Sequence, residues 1–322
     1  PKYLETLNEL SPHALIISDL GVLKQATTHT NIPIHISTQA SITNWQTALF
    51  WKNAGAKRLV LARELSLSEA KIIQEKAGIE IEVFIHGAMC ASYSGKCTIS
   101  NYTAGRDSNR GGCIQSCRHN YTIIDPDTHK SDYSTHIMNA KDLNTLALIP
   151  QLCHEGVTAF KIEGRMKSNH YLANAVALYR DQIDRYYDTA KVPLSQTSIQ
   201  EKSHPLSWVS NRGFSSGGLE NRPDENSISF DWNGYNKKVH FIGTIKEQLK
   251  DGRTYAHIKA PFTKEDTLLI QNNKGDYQPF TFSKLCDLDG TPIGTSNPNR
   301  VVVFHTPKTV DPYSILVKGI KT

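Results

Sequence analysis

The 322-residue chain contains no run of about 18 apolar residues, the length a bilayer-spanning helix requires; its longest apolar stretches, such as 59–62, are strand-sized. No membrane partner is therefore expected. Its six cysteines are too few, at this length, for a disulfide-stapled secreted domain. It also shows no initiator Met and no charged-then-apolar leader pattern, so export is not indicated and a cytoplasmic location is expected. Charge imbalance is slight: 36 Lys+Arg against 31 Asp+Glu leave +5, which admits a polyanionic partner without requiring one. What is present is a globular composition, 39% hydrophobic and 21% charged, enough to bury a core in one large domain and one smaller one.

Short β-branched runs at 14–18, 33–37, 57–62 and 80–85 alternate with helix-patterned stretches beginning near Asp19, passing through Trp45 and Trp51, and ending at Gly78 after a Ser66-led start. Repeated βα units imply a parallel sheet. Beyond them, 121–125, 135–139 and 157–163 read as strands. Asp142 reads as lying near a helix start, and 169 to about 187 as a helix with Leu172, Val176, Tyr179, Ile183 and Tyr186 on one face. Residues 188–226, with Pro193, Pro205, Pro223 and a Gly-rich stretch at 211–218, read as linker and loop. The runs at 239–245, 254–258, 267–270, 279–282 and 301–304, separated by turn residues, predict a small antiparallel β-barrel. The expected fold class is thus α/β: a TIM-barrel-like (β/α) domain over 1–225 and a C-terminal antiparallel β-barrel domain over 226–322. About five or six strands precede residue 188, fewer than an eight-stranded barrel of about 250 residues needs, so either the barrel is truncated at its N-terminus or the sheet is open.

Four of the cysteines, Cys90, Cys97, Cys113 and Cys117, crowd into one segment with gaps of six, fifteen and three residues. Structural zinc favours close pairs two to four residues apart, and of these gaps only that between Cys113 and Cys117 fits. Soft thiolates also suit iron–sulfur clusters, where irregular gaps are common. Glycines at 87, 95, 105, 111 and 112 interleave with the cysteines and let backbone amides approach cluster sulfurs. One four-iron, four-sulfur cluster on the four cysteines is the preferred reading. Zinc and four reduced structural thiols are the alternatives.

The stretches EVFIHGAMC at 82–90 and SGKCTIS at 94–100 resemble the signature segment of the peptidase U32 family. STQA at 37–40, RELS at 63–66, NAKDL at 139–143 and KIEGRMKS at 161–168 resemble further family segments, so the likeness covers most of 10–215. The chain is most similar to the subgroup that hydroxylates tRNA. The resemblance implies a TIM-like barrel with a C-terminal β-domain, and a complete member begins with further βα units that this chain lacks. It also implies a prephenate-dependent enzyme that installs a hydroxyl at carbon 5 of the wobble uridine, with tRNA as partner, prephenate as co-substrate and Cys117 as fourth ligand. In the quinone-hydroxylating relatives the fourth ligand comes from further along the chain, where Cys153 would be the candidate; Cys153 and Cys286 are left outside the site.

In such a barrel the working groups sit at the C-terminal strand ends. Gln39, Arg63, His86 and Lys161 are the candidate substrate-binding residues, since guanidinium and ammonium groups can hold a carboxylate or phosphate. Glu64, Glu163 and Arg165 are the candidate catalytic residues, with a carboxylate moving a proton. Salt bridges between strand ends would use the same residues. Arg106, Arg110, Arg118, His119 and Tyr121 add cations and an aromatic suited to RNA phosphates and bases, although a solvated loop has the same composition. The peptidase activity that names the family would require an activated nucleophile or a metal with an open position, such as His-Glu-x-x-His, and neither occurs as a motif. Hydroxylation of another RNA or of a quinone precursor, and a metal-binding scaffold that works with another subunit, are further readings; self-association is compatible with all of them.

Overall fold

Polar side chains start the early helices. The Asp19 carboxylate accepts from the Val22 amide and the Asn44 side-chain oxygen from the Thr47 amide, both at 2.9 Å, while Ser66 and Glu69 form a reciprocal capping box. The computed structural model describes residues 2–188, 197–199, 204–235 and 238–319, the side chain of Asp132 excepted. Pro193 lies outside them. Helices α1 (Lys2–Leu10), α2 (Leu20–His29), α3 (Trp45–Asn53) and α4 (Leu67–Ala77) alternate with strands β1 (Leu15–Ile17), β2 (Ile34–Ile36), β3 (Arg58–Val60) and β4 (Glu80–Gly87). No helix among the described residues is long and apolar enough to cross a membrane.

There follow α5 (Ile99–Ala104), the hairpin strands β5 (Tyr121–Ile124) and β6 (Ser131–Thr135), β7 (Asp142–Asn144), α6 (Ile149–His154), β8 (Ala159–Ile162), α7 (Asn169–Tyr187) and β9 (Phe214–Ser215). Strands β1 to β4 pair in parallel in sequence order, and β8 pairs in parallel along the far edge of β4. On the near edge, where the β3 pairing stops at Glu82, β7 takes over antiparallel with His86↔Asn144 and Gly87↔Leu143, and β9 joins β7. The strand alternation sends Ile34, Ile36, Leu59, Ile81 and Ile85 into the core and turns His35, Arg58 and Glu80 to the other face.

Several expectations are corrected here. Among the described residues the first sheet is open and mixed, and no closed (β/α) barrel is seen. Asp142 starts a strand rather than a helix, because its carboxylate is drawn into the interior by a buried ion pair with Arg212. The strand expected at 135–139 lies at Ser131–Thr135, paired with β5 across a hairpin. The Gly-rich stretch at 211–218 is not free linker: it carries β9 into the sheet.

The chain packs into two units, 1–163 with 212–234 and 164–211 with 235–322, so the division differs from a single cut at 225. The second unit takes α7 together with β10 (Val239–Gln248), β11 (Arg253–Ile258), β12 (Phe262–Thr263), β13 (Leu268–Gln271), β14 (Tyr277–Phe280), β15 (Ser283–Cys286), β16 (Thr295–Ser296), β17 (Val301–His305) and β18 (Ile315–Gly319). Seven of these strands form one antiparallel sheet in the order β14-β13-β18-β10-β11-β17-β15, a half-barrel rather than a closed barrel, around Ile242, Ile245, Ile258, Phe262, Phe304 and Leu316. Helix α7 has the expected bounds but a different buried face: His170, Tyr171, Asn174, Ala175, Tyr179 and Gln182 face inward, while Leu172 and Val176 are exposed. The polar members of that face find partners on the half-barrel. Tyr277 Oη donates to Asn174 Oδ1 at 2.9 Å, His170 Nε2 lies 2.5 Å from Tyr277 Oη, and Gln271 Nε2 donates to Asn174 Oδ1 at 3.1 Å.

Candidate metal centre

Strand β4 delivers the chain to Cys90. Two glycines make that passage feasible: at Gly87 (φ +107°) a Cβ would stand 2.2 Å from the Glu163 carbonyl oxygen, and at Gly95 (φ +75°) one would stand 2.1 Å from that of Gln39. Glu64 then pins the loop between Cys90 and Cys97. Its two carboxylate oxygens accept from the Ser94 amide at 2.6 Å and the Ser94 hydroxyl at 2.8 Å, and the Arg63 amide donates to the same hydroxyl at 3.2 Å. Cys97 sits just before α5, its carbonyl accepting from Asn109 Nδ2 at 3.0 Å. Cys117 lies in a 3₁₀ turn, Ser116–Arg118. That turn is sewn to α5 by the hydroxyl pair Thr103/Ser116 at 2.7 Å and to β5 by Tyr121 Oη donating to the Ser116 carbonyl at 2.8 Å.

All four cysteines are half-buried free thiols. Burial pushes the Cys90 thiol up, against the pull of the Ser92 amide that donates to it and of Arg63; Cys97 and Cys117 add their own repulsion. Burial likewise pushes Cys117 up, opposed by Arg118 and Arg212 and reinforced by Cys113 and Cys97. The Gln115 amide donates to Cys113 Sγ at 3.4 Å from a left-handed backbone position. The four sulfurs therefore share one electrostatic neighbourhood. As the side chains stand, no group of three or more His, Cys, Asp or Glu among the described residues is arranged to hold a metal ion. The chemistry of the donor set fits an iron–sulfur cluster, which spreads its ligands wider than one ion does: four soft thiols, amides aimed at two of them, and cations around them.

Among the expected site residues, Arg63 shares the electrostatic neighbourhood of the cysteines. Its guanidinium faces Cys90, Glu163, Glu64 and Cys113, lies 4.1 Å over the Phe84 ring, and leaves its buried Nε without a hydrogen-bond partner. Among the described residues it is also the one charged side chain lining a small, otherwise apolar cavity, with room for about one water, formed with Leu61, Phe84, Met89, Leu143 and Leu219. Gln39 adjoins the loop through its backbone at Gly95, with a buried side-chain Oε1 that has no partner. His86 is buried on β4; its carbonyl accepts from the Glu163 amide at 2.8 Å, and its ring stands 5.8 Å from that of Phe214.

Lys161 pairs with Glu82 at 3.1 Å, on the sheet face where Arg58 pairs with Glu80 at 2.7 Å. Glu64, expected as a catalytic carboxylate, has both oxygens on Ser94 and serves to hold the loop. Arg165 is exposed and belongs to the second unit, so the constellation within the first unit does not include it. Cys153 is buried on α6 and Cys286 lies on β15.

Sequence reasoning missed the buried basic residues. Arg118, expected to contact RNA, is only 6% exposed: it donates to the Ala140 carbonyl at 3.0 Å, to Asn139 Oδ1 at 3.4 Å and to the Met89 carbonyl. Arg212 pairs with Asp142, both buried. A basic residue directly after Cys117 was a visible signal for the first; nothing local marked the second. Arg106, Arg110 and His119 are exposed, as are Tyr93, Lys96 and Tyr102 on the same cysteine segment.

The peptidase family U32 matches residues 1–229. The tRNA hydroxylation protein P1 of Bacillus subtilis (strain 168) is 33% identical, over 98% of this chain and 76% of its own. The tRNA hydroxylation protein P of Escherichia coli (strain K12) is 30% identical, over 85% and 70%. The 23S rRNA 5-hydroxycytidine C2501 synthase of the same E. coli strain is 39% identical, over 57% and 28%. With the family match spanning the whole cysteine site, the chain belongs to peptidase family U32.

Proposed function

We propose that this chain is an RNA-hydroxylating enzyme acting on tRNA at carbon 5 of the wobble uridine, with prephenate as co-substrate and an iron–sulfur cluster on Cys90, Cys97, Cys113 and Cys117. The observation that carries the reading is that a relative named for tRNA hydroxylation matches along 98% of the chain, the cysteine segment included. A cluster bound there would supply one-electron chemistry. Arg63, whose buried Nε has no hydrogen-bond partner among the described residues, would hold a carboxylate of the co-substrate through two-point hydrogen bonding. Glu163, in the field of Arg63, would move a proton, and Glu64 would keep the loop from Cys90 to Cys97 in place. Exposed Tyr93 and Tyr102 offer stacking faces for unpaired bases, with Lys96, Arg106 and Arg110 for phosphates.

Anaerobic purification with iron, sulfide and zinc analysis tests the centre: iron and acid-labile sulfide in equal amounts are expected, and zinc alone would reject the cluster. Nucleoside mass spectrometry on tRNA from cells lacking the gene tests the substrate, with loss of wobble 5-hydroxyuridine derivatives expected. An unchanged profile rejects tRNA, and release of peptides from gelatin by the metal-free protein would favour the peptidase instead.

A further inference from the structure

The surroundings of Arg118 pose a problem of charge. Its guanidinium is buried, and the oxygens it reaches, on Met89, Ala140 and Asn139, are all neutral. The nearby buried carboxylate of Asp142 is bound by Arg212, and Arg212 in turn repels Arg118. Both arginines leave a buried Nε without a hydrogen-bond partner among the described residues. The groups facing Arg118 are Arg212, Cys117, Asp142 and Cys90. Two guanidiniums thus share one carboxylate in a place where stripping water from each ion costs several kcal/mol. Neutral thiols would leave one positive charge uncompensated; thiolate ligands would not.

We infer that Arg118 is the counter-charge of the cysteine-bound centre, present to offset the negative charge that Cys90 and Cys117 carry as ligands, and that it sets how readily the centre accepts an electron. The inference rests on the iron–sulfur reading above. Arg118 touches no reacting atom and acts through the centre. Reduction adds an electron to an already anionic cluster, so a buried cation beside two ligands stabilises the reduced form, and its removal lowers the reduction potential. Hydrogen bonding and charge around ligand sulfurs are established levers on cluster potential.

The test compares the anaerobically purified wild type with Arg118→Lys and Arg118→Gln, reading iron content, the rate of iron loss to a chelator, and the reduction potential from a spectroscopically monitored titration. Circular dichroism provides the fold control. Arg118→Gln is expected to leave about tenfold less centre reduced at a given ambient potential, a shift of about 59 mV for a one-electron couple, and to lose iron faster; Arg118→Lys is expected to stay near wild type. If Arg118→Gln folds but holds no cluster while Arg118→Lys does, the counter-charge role is again supported. An unmoved potential in a loaded Arg118→Gln overturns it, as does equal failure of both variants to bind iron, which would make guanidinium shape rather than charge the requirement. Absence of iron from the wild type itself would instead reject the cluster reading on which the inference stands.

Discussion

The two units each bury polar side chains, and they satisfy them in different ways. In the second unit His170, Tyr277, Asn174 and Gln271 form a chain of neutral hydrogen bonds. Tyr277 spends its proton on Asn174, so His170 is the donor to the tyrosine oxygen and is held as the neutral, Nε2-protonated tautomer. Only an amide oxygen, Gln271 Oε1, is left over in that chain. Around the cysteines the leftover groups among the described residues include the Nε atoms of Arg63, Arg118 and Arg212 beside four free thiols, a set that the proposed cluster would complete. A polar cluster that closes on itself fixes a fold, whereas one that stays open in charge marks where something else binds.

The comparison breaks most visibly at Asp142. Asp142→Asn leaves Arg212 and Arg118 buried without a carboxylate and should cost about 3–5 kcal/mol of stability in the metal-free protein, read by chemical denaturation. The loss should be smaller in the iron-loaded protein, where thiolates share the compensation. An equal loss in both would mean that the network closes without the metal. The second unit answers to pH instead. Burial lowers the His170 pKa to about 4 from the ordinary 6.5, so the fold favours the neutral ring. The unfolded chain takes up the proton first as pH falls, and stability is therefore whole above about pH 6.5 and lost progressively down to about pH 4. At about 1.4 kcal/mol per unit the loss is about 3 kcal/mol. Denaturation of the full chain at several pH values should show this slope, and His170→Gln should flatten it.

Much of this was legible from sequence, and the gaps have physical causes. Four cysteines within one segment stand out in the sequence as a candidate site, and the structure brings them into one electrostatic neighbourhood. The βα units were visible because each short strand is followed by a capped helix, as at Asp19 and Ser66. Helix α7 was bounded correctly by its period, yet its buried face was misjudged: hydropathy places Leu172 and Val176 inside and cannot see that His170 and Asn174 have partners about a hundred residues away. Asp142 and Arg118 were misassigned for the same reason, since aspartate and arginine read as exposed unless their distant partners are known. Closure of the C-terminal barrel was overestimated because local periodicity says nothing about which strand edges meet.

Glu64 offers a smaller test of the boundary between holding and reacting. Its carboxylate makes two hydrogen bonds to Ser94, and charge-assisted bonds of this kind are worth roughly 1.5–3 kcal/mol. Glu64→Gln can accept only one of them, so iron retention should fall and partly recover when the protein is loaded with excess iron and sulfide. Turnover per bound cluster should stay close to wild type. A variant that keeps its full cluster but loses turnover would return Glu64 to the reacting groups.

The smallest expected effect is at the surface, where the cysteine segment meets solvent. Tyr102 is 93% exposed, so Tyr102→Ala removes no core contact and should leave both melting temperature and iron content unchanged. If its ring is a stacking platform, affinity for tRNA should fall by about 1 kcal/mol, roughly fivefold, because a base loses one aromatic face. The salt dependence of binding should not change, since no phosphate contact is lost, whereas Arg106→Gln or Arg110→Gln should flatten it. Unchanged tRNA affinity in Tyr102→Ala, alongside weakened binding in the arginine variants, would leave this surface a purely electrostatic contact and move base recognition elsewhere on the first unit.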